Sequence, residues 1–478
     1  MRKFIVILWV VFFTNLPTFS ADFTLRKNFK AGVLTPLCVP VEIKAADFDG
    51  LYEVAGIENG QAVVYPVNFV TPATPCVVRC TADREVTVFN DVDISTQSPL
   101  ERPLLWYGGY CKGDFDNYTW THTTLLGNVG SASQLSYTVC DFSAMDFNVS
   151  LENVAVRRFL ANTYYDFAVA SAISGYMSSS QRFDLPNPVS IPLPDSNPGD
   201  ISVSISKDPA FGIPEVFRME TEGNLCKVYN LLPQEDYFFK VESGGNVIAE
   251  GQFHTEGRMR MIYAPSISNI RDLGGWRTVD GKRVRYGKIY RGGELNGQHV
   301  ATAGDIQHLK DLGVTAELDL RWAARPEENL QNSAFGFSAE SGTFYYVDGN
   351  DWLGSDFDSQ TTRDHIKREF ELITNTLRND GSLYFHCVWG ADRTGFVAMI
   401  IESLLGLTPD AIFKDYELTS FSIAGLRSKN DFPDRIIYFH AYAGATLADR
   451  MENYLVHKAG VAKEDIDFIR QTMTEQAE

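Results

Sequence analysis

The sequence predicts a multidomain chain: an all-β N-terminal half followed by an α/β domain with a short central, mostly parallel sheet flanked by helices. Three observations carry that reading. Up to about residue 182, short alternating runs rich in Val, Thr, Phe and Tyr recur between turn residues, as in Gln61 to Val67 and Arg84 to Phe89. Prolines then break the chain repeatedly from Pro186 to Pro198. In the last part, strand-like runs alternate with helical periodicity, with Ile366, Phe370, Ile373 and Leu377 on one helix face. A 478-residue chain with 44% hydrophobic content can fill several cores, and the length suggests about three domains.

The elements follow in chain order. Arg2 and Lys3 precede an apolar run from Phe4 to Phe13, too short to span a bilayer, with small residues before Ser20-Ala21. Residues 1–20 therefore read as a signal peptide, and the mature protein is expected to be exported: periplasmic, at the cell surface or secreted. Residues 21–182 read as an all-β domain of unassigned role. Its aromatic cluster, Trp106, Tyr107, Tyr110, Tyr118 and Trp120, is expected in a sheet core, with a glycan- or protein-binding surface as the alternative. Asn117 and Asn148 stand in glycosylation sequons, relevant only in a eukaryotic host. Five of the seven cysteines, Cys38, Cys76, Cys80, Cys111 and Cys140, fall here, which suggests one or two disulfides. Residues 183–200 read as a Pro-rich linker. In 201–256, the strands Tyr237 to Glu242 and Val247 to Phe253, with Leu232-Pro233 ahead of Tyr237, resemble a fibronectin type III-like β-sandwich. That likeness implies a corner hydrogen bond at Tyr237 and a spacer role.

Residues 257–478 hold the α/β domain. Thr302 caps a helix that Gly313 ends, Val314 to Leu320 is an apolar strand, and Thr343 to Val347 is another. Helices are expected over Ala411 to Leu418, Leu447 to Lys458 and Lys463 to Met473. Net charge is −19, from 61 acids against 42 bases, which argues against nucleic acid and anionic membranes as partners. No segment beyond the N-terminus is apolar enough to be transmembrane. A basic stretch from Arg258 to Arg291 reads as a solvated strand pair, with focusing of an anionic substrate as the alternative.

The most informative run is Tyr384-Phe385-His386-Cys387-Val388-Trp389-Gly390-Ala391-Asp392-Arg393-Thr394-Gly395. An apolar strand, Ser382 to His386, feeds a cysteine and a Gly-bearing loop, and Arg393 opens an apolar helix to Leu405. A loop entering a helix start gathers backbone N–H groups around one point of positive potential. An anion would be cradled by the N–H groups of Val388, Trp389, Gly390, Ala391, Asp392 and Arg393. The Arg393 fork suits two phosphoryl oxygens, and the thiolate of Cys387 is stabilised in the same place. Cys387 is then the nucleophile, and Thr394 is placed to hydrogen-bond the departing thiolate.

On these residues the chain resembles the bacterial cysteine-dependent tyrosine phosphatases, in their tyrosine/serine and dual-specificity-like branch. Asn269-Ile270-Arg271-Asp272-Leu273-Gly274-Gly275, Tyr290-Arg291-Gly292-Gly293-Glu294-Leu295 and Leu318-Asp319-Leu320-Arg321 resemble further segments of that family. The resemblance covers about residues 258 to 475. It implies hydrolysis of phosphotyrosine or similar phosphomonoesters through a phosphocysteine, on a phosphorylated protein or small phosphomonoester, with no cofactor or metal. It also implies a general acid on a loop after the strand at 343–347. Asp348 is favoured, with Asp351, Asp319 and Asp392 as rivals. Arg271 and Arg291 either line the pocket or pair with Asp272 and Glu294. Ala391 stands where many relatives carry lysine, which weighs against the alternative of phosphoinositides or inositol phosphates. A surface binding protein with a vestigial site is disfavoured by the intact Cys387, Arg393 and Thr394. A sulfur-transfer enzyme is disfavoured by the Asp392-Arg393-Thr394 continuation.

Overall fold

The computed structural model describes residues 20–32, 34–37, 43–58, 61–70, 76–93, 100–102, 106–110, 120–125 and 128–129 of the N-terminal half. It then describes 184–193 except 187, 201–255 except 213–216, 259–322, 332–348, and 358–477 except 426 and 428–434. The expected signal segment, both sequons, Cys38, Cys111, Cys140, Arg258 and Asp351 lie outside the described residues, as do the side chains of Trp106 and Trp120. No helix of the described residues is long and apolar enough to cross a membrane.

The described N-terminal half is built of strands, as its runs rich in β-branched and aromatic residues favour. Ser20–Phe29 pairs antiparallel with Arg84–Asp93. A five-stranded sheet runs Asn128–Val129, Gln61–Pro66, Gly50–Glu58, Cys76–Arg79, Leu34–Leu37. Cys76, Val77, Val78 and Cys80 are buried in its core with Leu51.

Two three-stranded sheets follow. One orders Val189–Pro192, Leu225–Tyr229 and Arg218–Glu222, and the other Ile201–Ser206, Asp236–Ser243 and Asn246–His254. Ile191, Ile205, Cys226, Val228, Tyr237 and Val241 from both sheets share one core, so the pair is a sandwich. The Tyr237 hydroxyl accepts the Leu232 N–H at 3.0 Å. Val189–Pro192, expected inside the linker, is instead an edge strand. Only one side of it must pair, so its proline is tolerated.

The C-terminal domain is a mixed sheet between helices. Its strands are β1 (Arg271–Asp272), β2 (Ile289–Gly292), β3 (Val314–Asp319), β4 (Phe344–Tyr346) and β5 (Ser382–His386). They lie in the order β1-β2-β5-β3-β4, parallel except for the β1/β2 pair. β5 is central and its five residues are all buried, as parallel strands covered on both faces must be. The helices are α1 (Ala303–Asp311), α2 (Gln360–Arg378), α3 (Asp392–Leu405), α4 (Pro409–Glu417), α5 (Arg435–Tyr438), α6 (Leu447–Tyr454) and α7 (Lys463–Met473). Thr302 caps α1 by accepting the Asp305 N–H, and Ser359 caps α2 through the Thr362 N–H. α3 is buried along nearly its whole length, the expected fate of a helix apolar all round.

The three parts touch. Strand Gly50–Glu58 lies against α4 and α5, and the Arg277 guanidinium sits 3.8 Å over the Phe69 ring. The sandwich meets the C-terminal domain through stacked Tyr229 and Tyr263, 3.7 Å between centroids, and through Asn230, which bonds His308 at 2.6 Å.

Candidate active site

β5 delivers Cys387 to the carboxyl edge of the sheet, and α3 begins five residues later, the place where open α/β sheets take ligands. What shapes the intervening loop is where its carbonyls go. The Val388 carbonyl accepts the Glu294 N–H at 3.1 Å. Asn269 Nδ2 donates to the carbonyls of Trp389 at 3.1 Å and Gly390 at 3.0 Å. Arg291 Nη2 donates to the carbonyls of Gly390 at 2.9 Å and Ala391 at 3.2 Å. With the carbonyls held from outside, the loop N–H groups turn to its concave side, forming an anion nest. Gly390 makes the turn with φ +64°, and a Cβ there would lie 2.3 Å from the Gly292 carbonyl, so no other residue fits.

Cys387 is 3% exposed. Burial pushes its thiol up, but the Arg393 charge and the Thr394 hydroxyl and N–H outweigh this and hold it below the ordinary value. The Thr394 hydroxyl has no other partner among the described residues, which leaves it to the sulfur. Arg393 is half-buried and spends one donor on the Leu320 carbonyl at 3.1 Å, which fixes its stem. Behind the cysteine, His386 is fully buried and meets Glu317 at 3.0 Å. Burial disfavours its charge, but Asp319 and Glu317 win and raise its pKa.

The structure moves several of the residues expected at the site. Arg271, expected at the substrate, is 1% exposed and clasps Asp415 and the Asn269 side chain, so it braces the loop from beneath. Arg291 shares Asp415 with it. The partners expected for these arginines are taken elsewhere: Asp272 pairs with Arg260, and Glu294 with Arg321 and His299. Asp319, a rival acid, is fully buried with both oxygens on Arg321 at 2.7 to 3.0 Å, which leaves it no path to a leaving group. Asp392 faces away from the nest. It accepts Tyr416 Oη at 2.7 Å and Arg427 Nε at 2.8 Å. Against its burial, these partners keep its carboxylate below the usual range. Part of the basic stretch is the expected partly solvated strand pair: Lys282–Val284 runs antiparallel to Thr474–Gln476. Lys282, Arg283 and Lys288 pair with Asp280, Glu475 and Asp380.

Asp348 follows β4 and is half-buried. Its charge reaches the Tyr346 hydroxyl together with those of Asp319, Arg321 and Arg393; burial first, and the two aspartates next, push that hydroxyl up to about 12. At the mouth, half-buried Trp389 lies 4.7 Å from the His299 ring, tilted 55°. Trp322, two residues beyond the carbonyl that holds Arg393, is 40% exposed. Asn269, Asp415, Glu317 and Arg427 had no role in the sequence-based site. Their signal lies in pairings across the fold, which spacing does not encode.

Fold and loop together place a buried cysteine, followed by a helix start bearing an arginine, at the carboxyl end of a parallel sheet. Residues 262–475 match the tyrosine phosphatase family. The chain is 30% identical over 178 residues to a protein of Cupriavidus necator provisionally named a tyrosine-protein phosphatase, covering 34% of this chain and 63% of that one. It is 26% identical over 154 residues to a tyrosine-protein phosphatase of Nostoc commune, covering 27% of this chain and 48% of that one. The chain thus spans less than two thirds of the length of either relative. These likenesses support a phosphatase hydrolase in the C-terminal half.

Proposed function

We propose that the protein is an exported phosphatase that hydrolyses phosphotyrosine or a similar phosphomonoester through a phosphocysteine on Cys387. One observation carries this reading: a buried thiol held below its ordinary pKa by Arg393 and Thr394, inside a loop whose carbonyls are drawn outward. The phosphoryl oxygens would lie on the loop N–H groups and the Arg393 fork. The Cys387 sulfur attacks phosphorus as the P–O bond to the leaving group breaks, and Asp348 gives its proton to the leaving oxygen. Water then attacks the phosphocysteine, Asp348 takes its proton, and the thiolate leaves toward the Thr394 hydroxyl. Trp389, His299 and Trp322 supply aromatic walls suited to an aryl ester. In this reading the middle sandwich is a fibronectin type III-like spacer, and the basic, then apolar, start of the chain supports export.

The test is phosphate release from phosphotyrosine peptides, phosphoserine peptides, phosphoinositides and inositol phosphates, in chelator, with native protein and Cys387→Ser. Aryl phosphate turnover that falls at least ~10³-fold in the variant is expected. Turnover that survives the substitution would sink the cysteine mechanism, and a preference for phosphoinositides would sink the substrate assignment.

A further inference from the structure

We propose that Asp184, which lies ahead of the middle sandwich, is a positioning residue for the active-site loop. The proposal rests on the function proposed above and adds a part that the phosphatase-like region, 262–475, does not contain. Asp184 is 0% exposed. Its Oδ2 accepts the backbone N–H of Asn269 at 2.5 Å, across 85 residues of chain.

Asn269 is an unusual joint. It is fully buried and has φ +59°, a left-handed conformation that asparagine tolerates better than other non-glycine residues. From that conformation its Nδ2 reaches the carbonyls of Trp389 and Gly390 and the Thr419 hydroxyl, all within 3.1 Å. Its Oδ1 accepts Arg271 Nη1 at 2.6 Å. One side chain therefore sets the direction of two of the loop's outward carbonyls and steers the arginine that braces the loop. The opposite faces of those peptides form the anion nest.

Asp184 fixes this joint from the backbone side. Without the carboxylate, the Asn269 N–H would be a buried donor with nothing to accept it, a costly state in a dry interior. Relaxation of Asn269 toward an ordinary φ would relieve that cost and swing Nδ2 off the Trp389 and Gly390 carbonyls. The loop N–H groups would then converge less well on the anion, and the positive potential at Cys387 would fall. The segment 184–193 also enters the edge strand of the sandwich. The catalytic loop is thereby tied to the region that joins it to the N-terminal domain.

Two readouts on the full-length protein test this. The first is the pH profile of Cys387 alkylation by iodoacetamide, which reports the thiolate without turnover. The second is kcat and KM for an aryl phosphate. Asp184→Ala is expected to move the alkylation midpoint to higher pH and to lower kcat roughly tenfold or more, the scale of a small misplacement at a reacting centre. Asp184→Asn keeps a carbonyl oxygen for the Asn269 N–H and should restore at least half of the loss. Asn269→Gly adopts φ +59° freely but has no side chain; it should show the same defect, and the double variant should be no worse than either single one. A wild-type alkylation profile and kcat in Asp184→Ala would overturn the proposal. If that variant does not fold, additive losses in Asp184→Asn combined with Asn269→Gly would overturn it equally. If native protein hydrolyses no phosphomonoester while the alkylation midpoint still moves, the functional reading fails and the positioning role stands.

Discussion

Arg393 and Arg291 stand on opposite sides of one loop and do different work with the same side chain. Arg393 is half-buried, gives one donor to a carbonyl, and its charge acts on Cys387. Arg291 is 0% exposed and is consumed by Asp415 and two loop carbonyls. Burial lowers its pKa, with Arg271 adding to this and Asp415 opposing it. Asp415 itself resists its own burial because both arginines hold its carboxylate ionised, below the usual range. The difference teaches that an arginine near a phosphate loop acts on substrate only where no protein carboxylate has claimed it. Arg393 supplies charge to the reaction, whereas Arg291 and Arg271 supply shape.

The sharpest way to break that contrast is to remove each charge. Arg393→Ala should lower kcat/KM about a thousandfold, the scale for losing a preorganised donor to a developing anion, while thermal unfolding stays close to native. Asp415→Ala should do the reverse first. It strands two buried guanidinium groups, and unfolding in denaturant should show a loss of about 3–5 kcal/mol. Comparable activity losses with no stability loss in Asp415→Ala would erase the distinction.

Two smaller effects sharpen it. Asp348→Asn should reduce turnover of a poor leaving group about a hundredfold and spare one that needs no proton. Equal losses on both substrates would remove Asp348 as the acid. Activity of native protein should rise with pH through a thiol pKa below the ordinary value, and this rising limb should persist in the Asp348 variant.

A separate effect, on stability alone, lies on α2, away from the loop. Glu369 is 1% exposed, neither oxygen has a partner among the described residues, and burial raises its pKa to about 8. The folded protein holds this proton, while the unfolded chain releases it above about 4.5. Stability should therefore fall as pH rises from about 5 to 8 and level off beyond. Melting temperatures across that range should show a shallower decline in Glu369→Gln, and an unchanged slope would exclude Glu369 as its source.

What the sequence made legible was local. The strand at 382–386 and the helix reaching Leu405 have the bounds their apolar runs suggest, because strand, turn glycine and helix start are neighbours in the chain. The Thr302 cap was readable for the same reason. Asp415 lies 144 residues from Arg271 in the chain, and Arg427 lies 35 beyond Asp392. Nothing in either spacing marks them as partners, so Arg271 read as a pocket residue or a partner of Asp272, and Asp392 as a rival general acid. Val189–Pro192 was hidden differently: its prolines signal a linker, and only the presence of Leu225–Tyr229 alongside makes it a strand.

The outward carbonyls of the loop have a consequence in time. Their donors come from Asn269 and from the segment holding Arg291 and Glu294, so the nest exists only after two distant segments have docked. Until then Cys387 is a thiol of ordinary pKa, about 8.5, mostly protonated at neutral pH and slow toward oxidants and disulfides. Reactivity is thus acquired only with the long-range contacts of the fold. An unfinished chain carries an inert sulfur, and the reactive one appears only where the fold has closed around it.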